Sequence, residues 1–291
     1  LPDRPYLPAP VMVHQIPHYL ASRGGNRIAL IVIDGMALDQ WLIIKEMLGD
    51  DFVCTDDLVC AWIPTLTSIS RQSLFAGEKP SLVSEVNGAT RSEENLWKTF
   101  WESQSRSRSS IGYSRGNTLA SATEAEELVH DATPAVAGFV INTIDELVHT
   151  TMMGTPQMHD SVRRWMEAGG LRRFVTRLLD RDYLVYITAD HGNVCASGIG
   201  IPRQGDLVDE ISLRARVYRH ASFAGEAHAA FPKDSCVWPS QYLGTGHAVL
   251  LAGGLSAFSP PGSEVLSHGS IALEEVFVPF VQIRSTRQCH R

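Results

Sequence analysis

Several signals of secreted, membrane-spanning or disulfide-stabilised proteins are missing from the sequence. No run of apolar residues approaches the roughly 20 that a membrane span needs, and no basic and then apolar signal segment opens the chain. The five cysteines are an odd number without a CxxC pair. This indicates free thiols in a reduced cytoplasm and no cysteine zinc site. They are Cys54, Cys60, Cys195, Cys236 and Cys289.

An excess of positive charge is also missing. The formal net charge of −7 disfavours a surface built for tight, non-specific DNA binding and leaves only a local basic patch as an option. The 291 residues, 44% of them hydrophobic, are enough for a sizeable core. We expect the proline-rich residues 1–26 to form an entry arm with one short helix, and residues 27–291 to form one domain with an insertion at about 78–134.

The apolar residues follow a repeating strand and helix pattern. Continuous apolar runs such as RIALIVID (27–34) and AVAGFVINTI (135–144) are typical of parallel strands covered on both faces. Segments with helical spacing follow them, which predicts an α/β fold with a mostly parallel central sheet and helices on both faces. Further strands are expected at 58–63, 183–190, 213–218, 247–253 and 274–283, and helices at 37–48, 68–77, 91–104, 145–153, 157–168 and 170–181.

Acidic residues follow three of the predicted strands. These are Asp34, Asp145 and Asp190, and the carboxyl ends of parallel strands meet at one edge of the sheet, where ligands bind. His191 adjoins the last acid, and His149 stands four residues after Asp145, so that pair shares a helix face. Carboxylate and imidazole together suit zinc or manganese. The alternatives are helix N-caps, an incidental surface histidine and a solvated loop.

A candidate nucleophile lies in PTLTSISRQSLFAG (64–77), where a strand ends and a helix begins. Thr67 stands just before this helix, and the positive end of a helix dipole attracts anions. The alternative role is simple N-capping, which threonine often performs. Beside two metal ions, a hydroxyl at this position can ionise and attack phosphorus.

The motifs together resemble the alkaline phosphatase superfamily. VIDGM, PTLTSISRQSLFAG, IDELVH, TADHGN and SHGSIALEEVFVPFV occur in the order found there, over residues 27–283. Within the superfamily, the segments PTLTSISR and HGS…EEVFVPFV are most similar to the PglZ domain, known from BREX and phage-growth-limitation defence systems. The resemblance implies an alkaline phosphatase-like sandwich and a metal-dependent phosphoesterase.

The resemblance also implies roles for individual residues. It places the nucleophile on Thr67 rather than Thr65, so we expect Thr65 to be dispensable for activity. Two zinc ions are implied, with manganese as the alternative metal. A threonine nucleophile would form a phospho-threonine intermediate that is then hydrolysed. The implied ligands are Asp34, Thr67, Asp190 and His191 for one ion, and Asp145, His149 and His268 for the other.

Four further residues are weaker candidates. His247 precedes an apolar strand and competes with His268 as the late ligand, although its flanks do not match the family. The substrate-clamping asparagine that follows the nucleophile in phosphodiesterases is absent here, and Asn87 is the candidate replacement. Arg214 and Arg216 would share one strand face and steer phosphates through forked hydrogen bonds; the alternative is a solvated strand face.

The resemblance implies a phosphodiesterase or phosphatase that acts on nucleotides or nucleic acid in phage defence, with other defence-system proteins as partners. The cysteines and the lack of a long apolar run add the expectation of a cytoplasmic protein that does not contact a membrane. A catalytically idle, metal-stabilised scaffold that docks those proteins is the alternative. A phosphomutase is a third option. It needs a substrate cap domain, and the segment at about 78–134 is short and polar for that purpose.

Overall fold

The computed structural model describes residues 9–25, 27–80, 92–117, 124–127, 133–150, 154–202, 207–239 and 247–286. The strands are β1 (Ile28–Ile33), β2 (Phe52–Cys60), β3 (Ile111–Asn117), β4 (Val136–Ile141), β5 (Leu184–Thr188), β6 (Val194–Gly198), β7 (Leu207–Ile211), β8 (Ala215–Tyr218), β9 (Ser235–Trp238), β10 (Ala248–Ala252), β11 (Ser256–Ala257), β12 (Glu264–Ser267) and β13 (Phe277–Ser285). The helices are α1 (Ile16–Ser22), α2 (Leu38–Leu48), α3 (Thr67–Ala76), α4 (Glu93–Ser103), α5 (Glu124–Glu127), α6 (Thr143–Thr150), α7 (Gly154–Glu167), α8 (Gly170–Asp180), α9 (Ala221–Ala230) and α10 (Leu273–Val276).

A six-stranded sheet in the order β2-β13-β5-β1-β4-β3 forms the centre of the molecule. β1 pairs in parallel with β4 and β5, and β3 pairs in parallel with β4. β13 is antiparallel to both of its neighbours, so within the described sheet it alone runs against the other strands. The predicted mostly parallel α/β sheet is confirmed.

The central strands are buried on both faces. Every residue of β1 and β4 is buried, because both strands are apolar throughout and helices pack over the sheet. Aromatic side chains fill the layer between sheet and helices: Phe75 of α3 meets Trp97 of α4 edge to face at 5.5 Å, and Phe139 of β4 meets Phe174 of α8 at 4.9 Å. A rigid, apolar sheet therefore supports the loops at its edge.

Two segments belong more closely to this core than the sequence indicates. Val13, Ile16 and Leu20 are fully buried in the main core, so the later part of the predicted entry arm packs with the domain. The described part of the predicted insertion supplies the buried helix α4 and the edge strand β3.

Two strand boundaries differ from the prediction. β2 begins at Phe52 and ends at Cys60, whereas the apolar run predicts 58–63. The exposed residues 55–58 lie on an edge strand, and edge strands tolerate charge. At the other end of the chain, Leu273–Val276 forms the short helix α10 before β13 begins.

Two smaller sheets lie beyond the central one. The first has the order β7-β8-β10-β9 and the second the order β11-β6-β12. β6 begins soon after His191, and β12 ends directly before His268. The three-stranded sheet therefore holds two histidine-bearing loops. Among the described helices, none combines the length and the apolar character required to cross a bilayer.

Candidate active site

The acidic residues at the strand ends converge at one edge of the central sheet, as predicted. The structure forms two groups, in each of which the potential ligand atoms lie within 4.8 Å of one another. We call Asp34, Asp190 and His191 the first cluster. We call Asp145, His149 and His268 the second cluster.

Two glycines allow the chain to turn tightly at this edge. Gly35 follows Asp34 with a φ of +70°, a backbone conformation that other residues rarely adopt. A Cβ on Gly192, next to His191, would clash with the backbone carbonyl of Glu274. The glycines in VIDGM and TADHGN therefore serve the packing of the loops that carry the candidate ligands.

Both buried histidines are oriented by backbone carbonyls. Nδ1 of His191 donates to the carbonyl of Gly192 at 3.0 Å, and Nδ1 of His268 donates to the carbonyl of Thr65 at 2.8 Å. Because a carbonyl only accepts, each Nδ1 carries the proton and each Nε2 has a free lone pair. The two rings stack at 4.0 Å. A carbonyl partner of this kind is the usual way in which a metal-binding histidine is fixed.

Burial changes the protonation of the cluster residues in the metal-free protein. It raises the pKa of Asp34 to about 7, helped by the nearby charge of Asp190, and it raises the pKa of Asp190 to about 6. Burial also lowers the pKa of His191, and burial together with His191 lowers the pKa of His268 to about 4. His191 and His268 are therefore neutral at pH 7, whereas the contact with Asp145 raises the pKa of His149.

The donor atoms fit divalent metal ions. Three carboxylate oxygens have no hydrogen-bond partner although they are buried: Oδ1 of Asp34, Oδ1 of Asp145 and Oδ2 of Asp190. Buried oxygens without a partner are rare and costly. The first cluster adds one imidazole nitrogen to these oxygens and the second adds two, and this donor set suits zinc or manganese. Their role as metal ligands stays a prediction.

Thr67 lies directly at the first cluster. Its Oγ1 is 2.9 Å from Nε2 of His191. Leu66, not Thr67, is the N-cap of α3, and Thr67 is the first helical residue. The alternative of simple N-capping by Thr67 is therefore wrong, because the hydroxyl points to the histidine.

Thr65 has a different position and a different use. It is fully buried, and its Oγ1 donates to the carbonyl of Ser270 at 3.1 Å and accepts from the amide of Gly269 at 2.9 Å. Its own carbonyl holds His268. Thr65 thus fixes the loop that carries the late histidine, a role that the sequence did not reveal.

The family comparison agrees with this geometry. The model of the BREX system PglZ alkaline phosphatase-like domain matches residues 13–283. The chain belongs to the PglZ family. The resemblance predicted from the motifs is confirmed, and no curated protein matches the sequence.

Solved structures share the fold of this PglZ domain at low identity. Human ectonucleotide pyrophosphatase/phosphodiesterase 5 has a TM-score of 0.60 at 11% identity, over 89% of this chain and 88% of that chain. The inactive threonine-to-alanine form of the murine protein, in complex with AMP, has a TM-score of 0.59 at 11% identity, over 88% and 87%. Phosphonoacetate hydrolase from Sinorhizobium meliloti 1021, with phosphonoformate, has a TM-score of 0.53 at 13% identity, over 89% and 90%.

Sequence reasoning missed Arg71 of the PglZ domain. Its buried guanidinium forms an ion pair with Oδ2 of Asp34 and lies 3.7 Å from Oδ2 of Asp190. Burial alone lowers the pKa of Arg71, but the carboxylates of Asp190, Asp34 and Glu93 outweigh it and raise the pKa. The available signal was its spacing, since Arg71 stands four residues after Thr67 and shares its helix face.

Arg214 lies just before β8 and Arg216 lies within it, and both side chains are buried. The alternative of a solvated strand face is therefore wrong. Arg214 is fully buried, with Nε at 2.9 Å and Nη2 at 3.0 Å from the two carboxylate oxygens of Glu275. Arg216 is buried against the ring of Phe258 at 5.6 Å. This packing gives both guanidinium groups structural partners and differs from the predicted steering of phosphates.

His247 and Asn87 are the last two candidates from the sequence. His247 is half-buried, and the grouping of potential ligands among the described residues includes His268 but not His247. Asn87 lies outside the described residues, so its predicted role stays a prediction.

Proposed function

We propose that this PglZ domain is a metal-dependent phosphoesterase with Thr67 as nucleophile and two zinc ions as cofactors. The observation that carries the proposal is the position of the Thr67 hydroxyl, 2.9 Å from Nε2 of His191 and beside the buried carboxylates of the first cluster. In that place the hydroxyl lies next to three potential metal ligands and would be within reach of an ion that they hold. Asp34, Asp190 and His191 would hold one ion, and Asp145, His149 and His268 the other.

The residues of the chain would act in two steps. When bound, two zinc ions supply Lewis acidity and lower the pKa of hydroxyl groups that reach them. Thr67 Oγ1 would attack the phosphorus atom, and the alcohol would leave with its oxygen, which gives a phospho-threonine. Water would then cleave that ester and restore the hydroxyl. The position of Thr67 at the positive end of α3 favours the developing negative charge.

A phosphodiester of a nucleotide or nucleic acid is the substrate class that we propose. Two of the similar structures are pyrophosphatase/phosphodiesterases, and the murine one was inactive as a threonine-to-alanine form in complex with AMP. Those facts belong to those proteins, and they support a threonine nucleophile and a nucleotide substrate here. Phosphonoacetate hydrolase makes a monoester or phosphonate a second substrate class for the assay.

We also propose a setting for this activity. The description of the family as part of the BREX system supports a role in antiviral defence, with other defence-system proteins as partners. The four described cysteines are free thiols, which agrees with a reduced, cytoplasmic location.

Metal analysis paired with an activity assay tests the proposal. We expect the purified domain to contain about two zinc ions, the number that its two donor groups can hold, and to hydrolyse a nitrophenyl nucleotide ester. Treatment with a chelator should remove both the metal and the activity, and zinc should restore them. A metal-free, fully stable protein that hydrolyses no phosphodiester or monoester with zinc or manganese would overturn the proposal.

A further inference from the structure

The buried side chain of Arg71 lies beside the first cluster, and it has no role in the proposed phosphoester hydrolysis. The side chain of Arg71 is 1% exposed, and its Nη1 contacts Asp34 and lies 3.7 Å from Oδ2 of Asp190. That oxygen has no hydrogen-bond partner and is one of the atoms that fit a metal ion. Arg71 therefore acts on the same carboxylates that a divalent ion would use.

A third carboxylate holds this arginine through a different nitrogen atom. Glu93, the first residue of α4, accepts from Nε of Arg71 at 3.0 Å. The other oxygen of Glu93 accepts from the hydroxyl of Tyr113 at 2.6 Å, and Arg115 lies 3.4 Å from Glu93. Glu93 is thus fixed in place, and it neutralises part of the charge of Arg71.

We propose that Arg71 is a positioning residue that serves as the resident counter-cation of the first cluster. It keeps Asp34 and Asp190 together in the metal-free protein, and for the same reason it weakens the binding of a divalent ion there. Glu93 has the opposite effect on metal binding, because it draws off part of the positive charge of Arg71. The inference rests on the proposed metal site, but its readouts are binding and unfolding rather than hydrolysis.

The physical reason is the charge of a small, buried volume. Asp34 and Asp190 bring two negative charges that water does not reach, and buried charges need partners. Arg71 supplies one positive charge, and Coulomb energies at such distances are large where water is excluded. Without Arg71, a metal ion would be the only cation that pairs with Asp34 and Asp190. Without the charge of Glu93, Arg71 would pair more strongly with these two carboxylates and would compete more strongly with the metal ion.

Zinc titration of the chelator-treated protein, monitored by calorimetry, tests the opposite changes in zinc affinity that we expect for variants of Arg71 and of Glu93. Arg71→Met should bind zinc more tightly at the first cluster by about tenfold or more, the scale expected when a unit charge is removed from beside the ligands. Glu93→Gln should bind zinc more weakly. Repeating the titrations in an Asp145→Ala background, which lacks a ligand of the second cluster, assigns the change to the first cluster.

Thermal unfolding gives an independent readout. Arg71→Met should lower the midpoint of the metal-free protein more than that of the zinc-loaded protein, and Arg71→Lys, which keeps the charge, should bind zinc like the wild type. Arg108→Met is the matched control, because Arg108 is half exposed and pairs with Glu102 outside the cluster. If Arg71→Met does not fold, Arg71→Lys and Glu93→Gln still provide the test.

Three results would overturn the inference. They are a shift of zinc affinity in the same direction in Arg71→Met and Glu93→Gln, an equal loss of stability with and without zinc, and an Arg71→Lys variant with altered zinc affinity. A wild type that binds zinc and shows this response without hydrolysing any ester would instead count against the proposed function alone.

Discussion

The two clusters are built in different ways although their donor atoms are alike. In the first cluster the side chains of Asp34, Asp190 and His191 are 6%, 0% and 0% exposed, and Arg71 balances their charge. In the second, the side chains of Asp145 and His149 are 23% and 65% exposed. Their mutual contact is 3.5 Å long, and no arginine pairs with Asp145 among the described ion pairs.

The pKa values express the same contrast. Burial raises the pKa of Asp34 to about 7. Burial also acts to raise the pKa of Asp145, but the close contacts with His149 and His268 outweigh it and lower the pKa. The first cluster is therefore held by the core and needs a cation for its stability, whereas the second gains more from its histidines and remains open to solvent.

The largest effect should come from the hydroxyl beside the first cluster. Thr67→Ala should lower the rate of phosphodiester hydrolysis by several orders of magnitude. The loss of stability should be small, because Thr67 does not cap α3. Thr67→Ser should keep part of the activity. Steady-state kinetics with a nitrophenyl nucleotide, beside an unfolding curve for each variant, provides the measurement. An active Thr67→Ala enzyme would place the nucleophile elsewhere.

A matched pair of aspartate variants should separate the clusters by stability. In the presence of a chelator, Asp190→Ala should cost about 2 to 6 kcal/mol, because two buried amides lose their acceptor: those of Gly35 and His191. Asp145→Ala should cost about 1 kcal/mol or less, as expected for a solvent-screened pair. Chemical denaturation measures both.

Without the chelator, elemental analysis should find about one ion fewer in each of these two variants, since each loses a ligand of one cluster. Equal losses of stability in the chelator-treated proteins would remove the distinction between a core-held and an open cluster.

Thr65 offers a way to disturb the second cluster without touching a ligand. Thr65→Val keeps the shape but removes the hydroxyl that binds Gly269 and Ser270. Loss of such a supporting contact typically weakens metal binding by about 10- to 100-fold, so one of the two zinc affinities should fall and the other should not. Thr176→Val, on the exposed face of α8, is the control. Unchanged affinities would show that the backbone carbonyl alone fixes His268.

The smallest effect is expected from the cysteines, which belong to neither cluster. Mass spectrometry under non-reducing conditions should find five free thiols, since the four described cysteines are unpaired in the structure and the sequence has five. Alkylation of these thiols should leave the metal content unchanged. Two stable internal disulfides would contradict the reduced location.

The placement of the acids was predictable because it follows from a general rule. Once RIALIVID, AVAGFVINTI and YLVYITAD are identified as parallel strands, Asp34, Asp145 and Asp190 must meet at one edge. His149 and His191 are close in sequence to these acids, so their positions follow as well. His268 was assigned by its flanking motif, and the structure places it beside Asp145.

The ion pairs were not predictable, because the partners are far apart in sequence. Arg71 meets Glu93, which belongs to a different helix, and Arg214, just before β8, meets Glu275 of the short helix α10. No local pattern marks a buried arginine, since most arginines are exposed. The sequence therefore predicted correctly that the candidate ligands lie close together. It did not reveal the ion pair of Arg71 with Asp34 or the hydrogen bonds of Thr65.

The second cluster joins a helix of the central sheet to a loop near the end of the described chain. Asp145 follows β4, whereas His268 is held by hydrogen bonds with Thr65 and with Ser212, which lies between two strands of a small sheet. Contacts between such distant parts of a chain form late in folding, because the loop that they close is long. In the proposed enzyme, a metal ion between Asp145 and His268 would bind only to a chain that has been synthesised and folded as far as this loop. The proposed phosphoester cleavage would therefore begin only after the two distant segments have met.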